Sequence, residues 1–201
     1  RLPQEVLRRF LFPLGNYTKQ EVREYLKEKG FEAKAKGGES MEVCFIEGDY
    51  RDFLRQQIPD LDTKIGPGYF VDNKGVKIGQ HKGFPYYTIG QRKGLGIALG
   101  SPKFVTKIDA EHNRVTLGER DDLLTTHATI MDVRLRDTEW LQESPEVQAR
   151  IRYKSPAVTG KLEIGEDQSS VRFTSPVWGV TPGQSMVIYK DGLVVGGGII
   201  C

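Results

Sequence analysis

No apolar run in this sequence approaches the roughly 20 residues needed to cross a bilayer as a helix, so a helical membrane span is excluded. Cysteine is almost absent. Cys44 and the terminal Cys201 are too few for a disulfide scaffold, and histidines at only 81, 112 and 127 give no zinc-ligand spacing, so no metal site is expected. That cysteine usage suits a reducing cytoplasm. The opening residues, RLPQEVLRRF, have helix-face spacing but neither the apolar block nor the cleavage site of a secretory signal. The chain opens on Arg1 rather than Met, and a piece of a longer protein is expected. An excess of one charge is lacking too, since 29 Lys and Arg face 27 Asp and Glu for a net +2. The balance is uneven along the chain: residues 1–100 carry 17 basic against 13 acidic side chains, and residues 101–201 carry 12 against 14. A polyanion partner would therefore favour the first half.

What is present is a turn-rich composition of 23 glycines and 10 prolines in 201 residues, long enough to bury a core without staples. Thr18–Lys29 predicts a helix: Thr18 and Glu21 have capping-box spacing, Val22, Tyr25 and Leu26 share a face, and Gly30 stops it. A second short helix is expected from Asp49 to Pro59. Beyond Lys64 the pattern becomes ten short strand signals, YFVD, KIG, PYYTIG, KFVTKID, NRVTLGE, TIMDVRLR, VQARIRYK, GKLEIG, VRFTS and SMVIYK, with no helix between them. Asp191-Gly192 predicts a type I′ hairpin turn from the last of these into LVVGG. The expected class is mainly β: residues 1–30 a helical remnant of a preceding domain, 31–100 a small α+β module, and 101–201 an all-β barrel. No repeat or low-complexity tract is found.

Four features bear on chemistry. Cys44 precedes a predicted helix N-terminus, where the dipole favours a thiolate, yet Val43, Phe45 and Ile46 suit an inert buried thiol equally well. GQRKGLGI (90–97) sets Arg92 and Lys93 among glycines, either as a phosphate-facing loop or as a hairpin with two solvated cations. It fits no nucleotide-binding spacing. From Val147 to Lys154 apolar residues alternate with Gln148, Arg150, Arg152 and Lys154, giving one basic strand face, RNA-facing or merely wet. TPGQ (181–184) predicts a type I or II turn exposing the Gln184 amide.

Five segments, FLFPLGNYTKQEVREYLKEKG (10–30), VCFIEGDYRDFL (43–54), YYTIGQRKGLGI (86–97), VTPGQSMVIY (180–189) and GGGII (196–200), together resemble the central and C-terminal parts of the bacterial tRNA 2-thiouridylase (tRNA-uridine 2-sulfurtransferase) family. The resemblance implies a barrel of translation-factor type and an enzyme that adenylates the 2-carbonyl oxygen of the wobble uridine with ATP and then replaces AMP with persulfide sulfur. ATP with Mg would be held by an N-terminal domain upstream of Arg1, so this chain is expected to bind no cofactor and to be inactive alone. The resemblance assigns Cys44 as the residue that takes and delivers sulfur, passing through a disulfide with a partner cysteine. It makes Arg152, Tyr153 and Gln184 tRNA contacts and lends weight to Arg92 and Lys93. Expected partners are tRNA and a sulfur-carrier protein, with the chain a cytoplasmic monomer. Where the family reads close to D-S-T-G-I-C-F-I, this chain has GESMEVCFI, and Glu42 opposes thiolate formation at Cys44. A noncatalytic RNA-binding module is the alternative.

Overall fold

The computed structural model describes residues 2–33, 49–136 and 138–201, which pack as two compact units, Leu2–Gln57 and Ile58–Cys201. Cys44, with its Met41-Glu42 neighbours, lies outside the described residues.

In the first unit, α1 (Gln4–Leu7) precedes α2 (Lys19–Glu28). The capping box is formed in both directions: the Glu21 amide donates to Thr18 Oγ1 at 3.2 Å, and the Thr18 amide donates to Glu21 Oε2 at 2.6 Å. Two orphan amides are thereby satisfied. At the other end Gly30 N donates to Lys27 O and Phe31 N to Leu26 O, the paired bonds of a Schellman stop. Helix α3 (Tyr50–Gln57) starts where Asp49 Oδ1 accepts from the Arg51 amide at 2.9 Å.

The second unit opens with α4 (Leu61–Ile65) and holds ten strands in two sheets. Strands β1 (Gly68–Val71), β2 (Lys77–His81), β3 (Phe104–Asp109) and β4 (Arg114–Gly118) lie in the order β2-β1-β4-β3, with β1 and β4 parallel. Phe70, Val105, Val115 and Leu117 form their core. Strands β5 (Leu124–Leu135), β6 (Glu146–Arg150), β7 (Val158–Glu163), β8 (Ser169–Trp178), β9 (Ser185–Lys190) and β10 (Leu193–Ile200) close a barrel in the order β10-β5-β8-β7-β6-β9. Period-two alternation fills its interior: Val147 and Ala149 point in while Glu146 and Gln148 point out, and Val171 and Phe173 point in beside an outward Arg172. Asp191 (φ 51°) and Gly192 (φ 76°) make the predicted I′ turn, with Lys190 opposite Leu193. GGGII proves to be the closure seam. A Cβ at Gly196 would stand 2.2 Å from Arg134 O and one at Gly197 2.2 Å from Met186 O, so β10 can approach both β5 and β9 only without side chains there.

Three expectations are corrected. PYYTIG is not a strand: Phe84–Tyr86 forms a 3₁₀ turn, because Pro85 has no amide to donate and the Tyr86 and Tyr87 amides bond back to Gly83 O and Phe84 O. A helix does interrupt the strands, α5 (Glu139–Glu143), between β5 and β6. VQARIRYK stops being a strand at Arg150, since the Ser155 amide and hydroxyl both bond Arg152 O and fold residues 151–155 into a turn.

Candidate nucleic-acid interface

The turn after β6 decides where Arg152 and Tyr153 point. Strict alternation would send them to opposite faces, but off the strand end each is free of the pleat. Tyr153 stands in solvent, 87% exposed. Arg152 folds back, half-buried, over the end of β8. Its Nη2 donates to Gly179 O and to Thr181 Oγ1, the latter at 2.7 Å, and its amide donates to Ser155 Oγ at 3.1 Å. Partial burial holds its pKa below the usual arginine value, because the protein replaces part of its water shell.

Trp178, the last residue of β8, has two guanidinium groups near its ring. Arg152 lies 5.4 Å and Arg120 5.8 Å from its ring centroid, both within cation–π range. Its Nε1 donates to Arg120 O at 3.0 Å, and Phe104 of β3 meets it edge-to-face at 5.9 Å. The four-stranded module therefore touches the barrel through this indole.

Gly90, first residue of the glycine-rich loop, completes the contact. Its φ is +84°, and a Cβ there would sit 3.0 Å from Trp178 Cη2 and 3.6 Å from Arg152 Nη2. The loop is tied to β3 by Gly90 N to Val105 O at 2.8 Å and Val105 N to Gln91 O at 2.9 Å. Gln91 braces it internally, accepting from the Thr88 amide and donating to Lys93 O. Arg92 and Lys93 follow, both exposed. Beyond them the chain bounds an open groove of about 500 Å³ with Arg92, Leu95, Ile97, Leu99 and Lys103 among its lining; Lys103 pairs with Glu119. The loop runs on into a strand, not a helix, so it offers a triphosphate no helix N-terminus.

TPGQ is a type II turn: the Gln184 amide donates to Thr181 O at 3.2 Å with Gly183 at φ 84°. Its Thr181 is buried against Arg152, while Gln184 is exposed. Three segments far apart in sequence, 90–97, 152–153 and 181–184, thus share one neighbourhood of the second unit. No contact joins the Arg92 or Lys93 side chain to Arg152 among the described residues. Sequence reasoning passed over Trp178 and Thr181. The available signal was thin: one of only two tryptophans, next to a glycine and three residues ahead of TPGQ. No group of three His, Cys, Asp or Glu suited to a metal occurs among the described residues.

Comparison with known proteins covers nearly all of the chain. Residues 1–48 match the tRNA methyl transferase HUP domain, residues 51–119 the tRNA methyl transferase PRC-barrel domain, and residues 128–200 the aminomethyltransferase beta-barrel domain. Over its whole length the chain is 58% identical to a protein of Phocaeicola vulgatus named tRNA-specific 2-thiouridylase MnmA 3, of which it covers 54%. It is 45% identical to tRNA-specific 2-thiouridylase MnmA of Acetivibrio thermocellus, with 98% of this chain and 54% of that protein aligned. Against the protein of the same name in Chlorobaculum tepidum the identity is 42%, over 99% of this chain and 55% of that one. The chain spans about half the length of the curated relatives it matches.

Proposed function

The chain belongs to the tRNA-specific 2-thiouridylase family, and from that premise we propose that it positions tRNA and relays sulfur in 2-thiolation of the wobble uridine. In this reading residues 1–30 finish an ATP-binding domain, residues 31–100 carry the sulfur-relay cysteine, and residues 101–201 form the RNA-positioning barrel. The observation that carries it is the convergence of Gly90, Arg152, Trp178 and Thr181, which brings two cation-bearing segments to one aromatic and seats the TPGQ turn against Arg152. Phosphates would meet the cations, while Tyr153 and Gln184 would offer stacking and hydrogen bonding to an unpaired base or sugar.

ATP, when bound elsewhere in the whole enzyme, activates the uridine oxygen for departure as AMP. The proposed role of Cys44 is to take sulfane sulfur: its thiolate attacks the outer sulfur of a carrier protein's persulfide, a new S–S bond forms, and the carrier leaves as a thiol. The outer sulfur then attacks C2 of the activated uridine and AMP leaves, giving a C2–S–S–Cys44 linkage. The thiolate of a second cysteine of the enzyme attacks the Cys44 sulfur, and its S–S bond to the transferred sulfur breaks. That sulfur keeps the electron pair as the 2-thiocarbonyl of the uridine, and the two cysteines are left as a disulfide.

Two measurements on the chain test this. Filter binding to a tRNA with an unmodified wobble uridine should show affinity falling steeply with salt, as phosphate contacts release counterions. Affinity that is flat across salt removes the phosphate contacts. In a Cys201→Ser background, a small-molecule sulfane donor should add one sulfur to Cys44, seen as a mass increase lost in Cys44→Ser. A chain that gains no sulfur while still binding tRNA supports the noncatalytic RNA-binding module instead.

A further inference from the structure

Resting on the reading of Arg152 as an RNA-facing cation, we propose that Thr181 is a positioning residue: its buried hydroxyl fixes the Arg152 guanidinium so that its remaining donors on Nη1 and Nε are held ready for a tRNA phosphate before the RNA arrives. A threonine hydroxyl has one hydrogen. Here it is spent on Gly179 O, at 2.9 Å, so the oxygen faces Arg152 as an acceptor and takes an Nη2 hydrogen at 2.7 Å. The second Nη2 hydrogen goes to Gly179 O. Both hydrogens of that nitrogen are therefore occupied by the same short segment. Gly179 is what permits the approach, since a Cβ there would lie 2.8 Å from Nη2 and its φ is +70°. The Trp178 ring flanks the cation, and Ser155 Oγ holds the Arg152 amide, so both ends of the residue are fixed.

What remains is the rest of the guanidinium. Nε and Nη1 are not among the buried unpartnered atoms and keep three hydrogens free of any protein partner given among the described residues. Each of these donors can make a charge-assisted bond to a phosphate oxygen, one prong at a time, because both two-pronged faces of a guanidinium include Nη2. Arginine ordinarily loses much rotamer freedom on gripping an anion. In this turn the loss has been taken during folding, which leaves more of the contact's free energy for binding.

The test is tRNA filter binding by the chain with Thr181→Val, Thr181→Ser, Arg152→Ala and the double variant Arg152→Ala/Thr181→Val. Valine keeps the shape and removes the hydroxyl; serine keeps the hydroxyl. Thr181→Val should weaken binding roughly three- to ten-fold, the equivalent of one ordinary hydrogen bond, Thr181→Ser should stay within about two-fold of wild type, and Thr181→Val should cost nothing further when Arg152 is alanine. Equal loss with and without Arg152, or no loss with Arg152 present while Arg152→Ala itself is weakened, overturns the positioning role alone. Arg152→Ala binding as tightly as wild type overturns the RNA-facing reading and the proposal together. A second readout does not depend on RNA or on the valine variant folding: nitrogen-15 NMR of the free chain should show hindered rotation of the Arg152 guanidinium, with resolved Nη signals. Freely rotating, averaged Nη signals in the wild type overturn the proposal.

Discussion

Gly90 and Trp178 stand so close that any larger residue at 90 would place its Cβ 3.0 Å from the indole Cη2, at a backbone φ of +84° that side chains rarely adopt. This one approach joins the glycine-rich loop of the four-stranded module to the rim of the barrel. Gly90→Ala faces both penalties together, strain of about 1–3 kcal/mol and a ring that must give way. For a chain of this size that corresponds to a fall in Tm of roughly 2–10 °C by thermal unfolding. Because the loop leading to Arg92 would shift, tRNA affinity should drop as well, whereas Gly75→Ala, at φ +81° with nothing within 4 Å, should lower Tm alone.

Barrel closure supplies a second prediction. Gly197 lies where a Cβ would meet Met186 O at 2.2 Å, and that atom is backbone of the neighbouring strand, so no flexible group can yield. Gly197→Ala should cost about 3 kcal/mol, the upper part of the overpacking range, read as a lowered urea midpoint. Leu193→Ala on the same strand, 63% exposed, should change the midpoint little.

His81 gives the pH dependence. It is buried beside Phe70 and Tyr87, its Nδ1 accepts the Gly83 amide at 3.0 Å, and Nε2 therefore carries the proton of the neutral ring. Burial pushes its pKa below the usual histidine value, against a weaker opposite pull from the Tyr69 backbone. The unfolded chain then binds the proton better than the folded one. Stability is present in full above the unfolded value of about 6.5 and is lost as pH falls from there through the lower folded pKa. Urea midpoints measured from pH 8 to pH 5 should decline through that window in wild type, and His81→Gln should remove that part of the decline. Parallel curves for the two would assign it elsewhere.

How much of this was legible in the sequence depended on range. Thr18 and Glu21, three residues apart, announce their capping box, and Asp191-Gly192 announces its hairpin, because each signal and its structure lie within a few residues. Strand alternation likewise marks the barrel wall. PYYTIG misled because aromatic and β-branched residues imitate a strand, while Pro85 and the local amide bonds to Gly83 and Phe84 decide otherwise. The meeting of Gly90, Arg152, Trp178 and Thr181 had no local signal. It is produced by the strand order β5-β8-β7-β6 and by Ser155 ending β6 early, and a period-two reading of Val147–Lys154 cannot contain it.

That geometry alters what Arg152 and its neighbours should each contribute to tRNA binding. Arg152 has two employments, an inner one on Gly179 O and Thr181 and an outer one through its Nε and Nη1 donors, open to phosphate. Arg152→Ala should accordingly weaken binding roughly ten-fold and flatten the logarithmic salt slope by about one unit, while also costing about 1–3 kcal/mol of stability for the stranded inner acceptors. Arg152→Lys keeps the charge and so should keep most of the salt slope. A point-like ammonium cannot serve the inner acceptors and an outer phosphate together, so it should still lose affinity. Tyr153 is 87% exposed and has no hydrogen bond or ring contact given among the described residues, so Tyr153→Ala should leave Tm and salt slope unchanged and lower affinity by about 1–3 kcal/mol if a base stacks on it, with Tyr153→Phe close to wild type. Gln184→Ala, a neutral amide on an exposed turn, should cost less than Arg152→Ala at every salt concentration and leave the slope alone. Filter binding across a salt series, paired with thermal melts of the same variants, separates the three. A wild-type slope for Arg152→Ala would confine that guanidinium to its inner employment and leave Tyr153 as the group that meets RNA.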